Sequence, residues 1–300
     1  MDLLILLGFT VPVALAALGE TVGQKAGVIN IGLEGMILSG SFAAAWTASV
    51  THSPWIASVV GLLVGVSLAL LSGWFTVVRA ADQVVVGTAI NLLSLGITGT
   101  LFRLNFDPTK TILKVEKIPT LADLFPSVKS SFPFLERLDA FILLTIFLAI
   151  GIGWALNRTG WGLAIRSAGE YPKASEAAGF SVTRLRMGAL AIGGALGGLA
   201  GAYLCLGIAG SFAENTTAGR GFVAIALVTF GQWRPSLVAL GALLIGFLES
   251  LQFKAQAAGW RVPVQLLLAM PYVVSLLVLA FLGKRTLAPT ALGEPYRRSK

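Results

Sequence analysis

One cysteine, one histidine and a charged fraction of only 12% are all that this 300-residue sequence offers to metal, disulfide or acid–base chemistry. Cys205 stands alone in an apolar run, so it can form neither an intrachain disulfide nor a thiolate cluster, and it is expected to pack among apolar neighbours. His52 sits in "THSP", where a loop role is expected. Neither G-x-x-x-x-G-K-[ST] nor G-x-S-x-G occurs, which removes the phosphate loop of an ATPase and the nucleophile elbow of a serine hydrolase. If the chain serves an ATP-driven process, another chain hydrolyses the ATP. No cofactor or metal is expected.

Soluble domains carry roughly 25% charged residues; here 56% of residues are apolar and the mean hydropathy is +0.83. The apolar residues fall in nine blocks, at 3–19, 33–51, 55–78, 84–104, 139–157, 187–209, 221–232, 235–253 and 262–283. Most are long enough to cross a hydrocarbon core about 30 Å thick, which takes roughly 20 helical residues. Barrel strands alternate apolar and polar positions over roughly 10 residues, so these blocks exclude a barrel. The seventh, "GFVAIALVTFGQ", is too short to cross alone at about 1.5 Å per residue and reads as a half-helix. The expected fold is an all-α polytopic membrane bundle of about nine segments, with broken or half helices near residues 20–36 and 221–234.

A net charge of +8 raises the question of nucleic acid. The basic residues are scattered over short connections and the C-terminal tail, as expected for loops that anchor a membrane protein, and no nucleic-acid partner is expected. Ala14 and Ala16 form an A-x-A pattern, yet position 2 is Asp and no basic n-region precedes it, so 3–19 reads as a retained span. Residues 105–138 are expected outside, and 158–186 and the tail 284–300, with Lys284, Arg285, Arg297, Arg298 and Lys300, inside; this puts more Lys and Arg on the inner side. In "GGALGGLAG", Gly193, Gly197 and Gly201 recur every fourth residue with Gly194 and Gly198 beside them, a spacing that lets helix backbones approach closely in lipid.

Two segments break the apolar pattern. "ETVGQKAGVINIGLEGM" (20–36) places Glu20, Gln24, Lys25, Asn30 and Glu34 among glycines, and unpaired polar groups in hydrocarbon cost several kcal/mol. The segment must therefore face protein or water, either as a cytoplasmic turn or as a broken helix lining a solute cavity. In "NRTGWGLAIRSAGEYPKASEAAGFSVTRLRMG" (157–188), Pro172 suits a first helical position and Gly179 a helix end. Residues 173–178 then form about two turns, either docked against another surface or simply solvated.

Several stretches resemble a known family, the membrane permeases of ABC importers for ribose, branched-chain amino acids and nucleosides. They are "GVINIGLEGMILSGSFAA" (27–44), "ADQVVVGTAINLLSLGIT" (81–98), "TGWGLAIRSAGEYPKASEAAGFSVTRLR" (159–186), "GGALGGLAGAY" (193–203) and "GRGFVAIALVTFGQWRPSLVALGALLIGFLESLQ" (219–252). The NIGLEG form and the GRGFVAIA block are similar to the nucleoside-type branch. By this resemblance the extra N-terminal span of ribose-type permeases is not expected here, which fits an outward N-terminus.

The resemblance implies one permease domain over 1–300 in the bacterial inner membrane with a cytoplasmic C-terminus. Residues 170–181 would be the coupling helix that seats in an ATPase subunit, carried by Glu170, Tyr171, Pro172, Ala174, Glu176, Ala177, Ala178 and Gly179. Asn30, Glu34 and Asn91 would supply hydrogen-bonding groups to the path of a small polar solute. The implied partners are an ABC ATPase, a second permease subunit (related chain or homodimer), an extracytoplasmic solute-binding lipoprotein and membrane lipid. The competing class is a self-sufficient secondary transporter or channel, which would need no docking helix.

Overall fold

The computed structural model describes residues 3–106, 112–124, 138–259, 263–282 and 288–296. All nine apolar blocks form helices. They are α1 (Leu3–Lys25), α2 (Leu33–Thr51), α3 (Pro54–Gly73), α4 (Gln83–Asn105), α6 (Ala140–Arg158), α9 (Val182–Tyr203), α10 (Arg220–Phe230), α11 (Pro235–Ala257) and α12 (Val264–Leu282); α5 (Leu121–Leu124), α7 (Gly160–Glu170) and α8 (Pro172–Ala177) lie in the connections. Among the described residues, six helices are long and apolar enough to cross a membrane: α1, α3 with its continuation to Val78, α4, α6, α9 with its continuation to Ala209, and α11. Both continuations, Trp74–Val78 and Leu204–Ala209, are π-helical turns.

The helix starts follow from local chemistry. Asp82 Oδ1 accepts from the N–H groups of Val84 and Val85, and Asp139 Oδ1 from those of Phe141 and Ile142, so two aspartates satisfy donors that the first turns of α4 and α6 leave free. Several buried hydroxyls are satisfied within their own helices, as where Thr10 donates to the Leu6 carbonyl and Thr21 to that of Ala17.

At the centre, α9 packs against α1, α2 and α3. Its glycine rows are what allow this. A methyl on Gly198 would collide with the Gly61 carbonyl of α3, and one on Gly201 with the Ile37 carbonyl of α2, so both rows serve backbone approach. By contrast, α4 and α6 are only 22% buried over their apolar windows, against 78% for α1 and 83% for α9. The outer helices turn Leu92, Ile97, Phe147 and Ile150 outward, an apolar surface that suits lipid or a partner helix.

Two expectations are revised. The chain is not wholly helical: β1 (Ile112–Lys114) and β2 (Ser211–Ala213) pair antiparallel with Leu113 opposite Phe212. The polar interruption is also narrower than 20–36, because α1 runs on through Glu20 and Gln24 to Lys25 and leaves only 26–32 irregular. Polar side chains with buried partners do not end a helix; Gly27 does, at φ +88°. Around it the Val28 N–H donates to the Gly23 carbonyl and the Gly27 N–H to that of Gln24, each at 3.0 Å, which is a Schellman ending. The basic residues Lys284, Arg285, Arg297, Arg298 and Lys300, and most of the 105–138 connection, lie outside the described residues.

Candidate functional site

The break at 26–32 is held from both sides. Glu20 Oε1 accepts from the Gln24 amide (2.9 Å) and the Asn30 backbone N–H (3.1 Å), while the Ile29 N–H donates to Gln83 Oε1 (2.8 Å). Asn91 on α4 spans the far end: its Nδ2 donates to the Ile31 carbonyl (2.9 Å) and its Oδ1 accepts from the Gly35 N–H (2.8 Å). Gly35 must be glycine here, since an added methyl would sit 2.7 Å from the Ser94 hydroxyl and 2.9 Å from the Ile90 carbonyl. Asn30 itself is buried, with Nδ2 3.2 Å from Met36 Sδ, and its Oδ1 has no hydrogen-bond partner among the described residues.

Glu34 opens α2 and reaches the start of α10. It accepts from the Thr217 hydroxyl (2.5 Å) and from the N–H groups of Gly219 (2.8 Å) and Gly221 (2.7 Å). A carboxylate placed there answers both the free donors and the positive end of the half-helix. Arg220, in the first turn of α10, pairs with Glu249 of α11 at 3.1 Å, with both side chains largely buried, and its Nη1 also donates to the Thr217 carbonyl at 3.2 Å. A cavity of ≈ 160 Å³ opens beside this pair, bounded by Ala218, Arg220, Glu249, Gln252 and Tyr272. At the other end of α10, Gln232 and Trp233 both take positive φ (51° and 55°), and the Trp233 indole donates to Gln24 Oε1 at 2.7 Å. The strained turn is thus tied back to α1.

The segment expected to dock contains a short helix: Pro172 occupies the first turn of α8, and Gly179 follows its end at φ +89°, with the Phe180 N–H donating to the Ser175 carbonyl at 3.1 Å. Ala174, Ala177, Ala178 and Tyr171 are exposed, and a methyl on Gly179 would meet nothing within 4 Å. The tail lies against this end of the bundle. Glu170 Oε2 accepts from the Thr290 N–H (3.2 Å) and hydroxyl (3.0 Å), and Tyr296 donates to Glu176. Arg186, fully buried, donates to the carbonyls of Ala26 (3.1 Å), Glu294 (2.7 Å) and Ala291 (3.4 Å), so one guanidinium joins α9, the break and the tail.

The structure therefore brings Asn30, Glu34 and Asn91 to one region but commits most of their polar atoms to protein backbone. Residues 170–179 form a separate group. Arg220, Glu249 and Arg186 were not singled out from the sequence. The usable signal was Glu249, a lone carboxylate inside an apolar block, since ionisable residues inside a membrane segment mark function by default.

Residues 3–282 match the model of the family described as branched-chain amino acid transport system / permease component. Among curated relatives, the nucleoside ABC transporter permease protein NupC of Lactococcus lactis is 32% identical, over 97% of this chain and 95% of that protein. The guanosine ABC transporter permease protein NupQ of Bacillus subtilis is 33% identical, over 97% and 95%. The putative glucose ABC transporter permease protein TsgC13 of Haloferax volcanii is 32% identical, over 95% and 93%. No solved structure matches. With a helical membrane bundle, a polar break inside it and a match over nearly its whole length, the chain belongs to the family of permease components of branched-chain amino acid transport systems.

Proposed function

We propose that this chain is the permease subunit of an ATP-driven importer for nucleosides, working with a separate ATPase, a second permease subunit and an external binding protein. The observation that carries the solute class is the near full-length likeness to two permeases named for nucleosides and guanosine. The physical support is a buried polar seam where the break at 26–32 meets the half-helix α10, since a hydroxylated ring can cross only where the bilayer offers hydrogen-bonding groups. In this reading Asn91 and Glu34 line the path by fixing the backbone around it, and Asn30 supplies the free acceptor. A glucose reading has its own support in the Haloferax relative.

The membrane arrangement in this reading has nine crossings, the seventh made by α10 together with the extended chain before it. Two groups of contacts support it: 288–296 packs with α7 and α8 at one end, and β1 pairs with β2 at the other. The first end would be cytoplasmic and the tail with it. Cysteines introduced at positions 130 and 299 should then be labelled from opposite sides by an impermeant reagent. Labelling of both from the same side would end the nine-crossing reading.

The functional test is uptake in proteoliposomes containing the assembled importer. ATP-dependent accumulation of radiolabelled guanosine, unaffected by excess glucose, is expected. Accumulation by this chain without an ATPase would instead make it a secondary transporter, and glucose uptake without guanosine uptake would reassign the solute.

A further inference from the structure

At the end of the bundle that carries α7, α8 and the tail lies a cavity of ≈ 760 Å³. Its polar wall comes from three places far apart in the chain: Lys25 at the end of α1, Arg166 on α7, and Arg234 with Ser236 at the start of α11. Their charges are close enough to act on one another: Glu170 on the same wall favours the charged form of Lys25, and Arg166 and Arg234 oppose it. Among the described residues none of the three cations is within ion-pairing distance of a carboxylate. The one acid on the wall, Glu170, accepts two hydrogen bonds from Thr290, and its carboxylate offsets one of the three cations. Three cations against one carboxylate leave the wall positive by composition, and the repulsion that remains among like charges is relieved when an anion joins them.

A second feature points the same way. The 23-residue helix α11 starts on this wall, with Pro235 in its first turn and no side chain capping it, so its free N–H groups and the positive end of its dipole open toward the cavity. The part of the wall supplied by α6 is apolar apart from Asn157. It includes Ile150 and Gly153 of α6, and α6 carries Phe147, Ile150 and Trp154 exposed along the outer surface of a membrane-length helix. An exposed tryptophan at the end of such a helix marks the depth at which headgroups lie.

We propose that this cavity binds the phosphate of an acidic phospholipid headgroup, with Lys25, Arg166, Arg234 and the α11 N-terminus around the phosphate and the acyl chains along the exposed face of α6. A free phosphate would meet the same donors, but it gives no role to an apolar wall continuous with the lipid-facing surface. Headgroup sites of this kind use basic pockets between helices at the cytoplasmic face. The site does not depend on which solute crosses the permease or on which ATPase drives it.

Native mass spectrometry of the purified chain, titrated with phosphatidylglycerol or phosphatidylcholine, tests this. The unmodified chain should retain phosphatidylglycerol in preference, and Arg234→Gln should weaken that preference by about fivefold, the value of one cation near an anionic lipid. Arg234 is exposed, so this variant keeps the fold. Lys25→Gln, Arg166→Gln and Arg234→Gln together should abolish the preference, while Lys25→Arg should keep it, and excess inorganic phosphate should leave bound phosphatidylglycerol in place. Equal retention of the two lipids by the unmodified chain, or an undiminished preference in both Gln variants, would overturn the proposal. Displacement by inorganic phosphate would overturn the lipid as occupant in favour of a free anion.

Discussion

Gly27 and Gly179 do the same thing in two different places. Each closes a helix in a Schellman motif at a φ near +90°, and each was chosen by the same local rule, that only glycine takes this conformation without strain. Their surroundings are opposite. A methyl on Gly27 would lie 2.7 Å from the Arg186 guanidinium and 3.1 Å from the Ala291 carbonyl, whereas one on Gly179 would touch nothing. The first turn is locked into the bundle by α1, α4, α9 and the tail. The second projects from it, with Ala174, Ala177 and Ala178 uncovered. A helix ending enclosed by its own chain shapes the interior, and one left bare on a small-residue surface is available to another chain.

The most damaging test of the interior region is removal of the Glu34 carboxylate. Glu34→Ala strands the buried N–H of Gly221 and the half-buried N–H of Gly219, and the expected cost is about 3 kcal/mol, read as a large drop in melting temperature and in monodisperse yield in detergent. Glu34→Gln keeps an acceptor and should fall between. A Glu34→Ala protein as stable as the parent would mean that α10 is not held by this carboxylate.

The two glycines can be compared directly. Alanine at either position is forced into the left-handed region at about 1–2 kcal/mol, but Gly27→Ala adds a collision with Arg186 and the tail. Gly27→Ala should therefore lower the melting temperature clearly more than Gly179→Ala does. Equal shifts would erase the distinction between the enclosed turn and the bare one.

The projecting region should respond in function rather than stability. Ala177→Trp fills a surface that small residues leave open, and should reduce solute-stimulated ATP hydrolysis by the assembled importer several-fold while yield and melting temperature hold. Glu176→Arg also removes the acceptor of the Tyr296 hydroxyl, so its effect combines docking with the loss of a tail contact. Unchanged hydrolysis and uptake in both variants would remove the coupling role.

How far the sequence announced these features depended on whether their causes were local. Pro172, Gly179 and the nine apolar blocks were legible because helix ends and hydrophobic length are decided within a few residues. The full extent of α1 was not. Whether Glu20 and Gln24 break a helix or continue it depends on Asn30 and on Trp233, the latter 209 positions away. Glu34 was visible as a polar residue in an apolar region, but its donors lie 183 to 187 positions on, and no spacing rule links them. Arg186 looked like one more inner-loop cation; its role as a buried clamp on the tail comes from carbonyls more than 100 positions away on both sides. For Asn30 and Asn91 the hydrogen-bonding groups are legible in the sequence, but the direction in which their amides point is not, because their partners are set by the tertiary fold.

The smallest effect is expected at the outer surface, where Arg103 holds Glu214 in a two-bond pair at 2.8 Å. That hydrogen bond, together with the charge, keeps the Glu214 carboxyl below its ordinary range. A carboxylate with a depressed pKa contributes stability above its unfolded-state value and loses it as pH falls through the folded-state value. Solvent screens so exposed a pair. Arg103→Ala should therefore lower the melting temperature only marginally at neutral pH and not at all in acid, in contrast to the buried Arg220–Glu249 pair, where Arg220→Ala leaves a carboxylate unpaired inside the bundle and should be strongly destabilising.

Hydrogen exchange of the permease alone and in complex with its ATPase subunit measures the contrast between the two turns most directly. Amides of 172–180 should exchange readily in the free chain and become protected in the complex, while those of 26–36 are protected in both. Protection of 26–36 that appears only with the ATPase, or exchange across 172–180 that is the same in the two states, would contradict the proposed division between an interior turn that shapes the path and an exposed one that receives the ATPase.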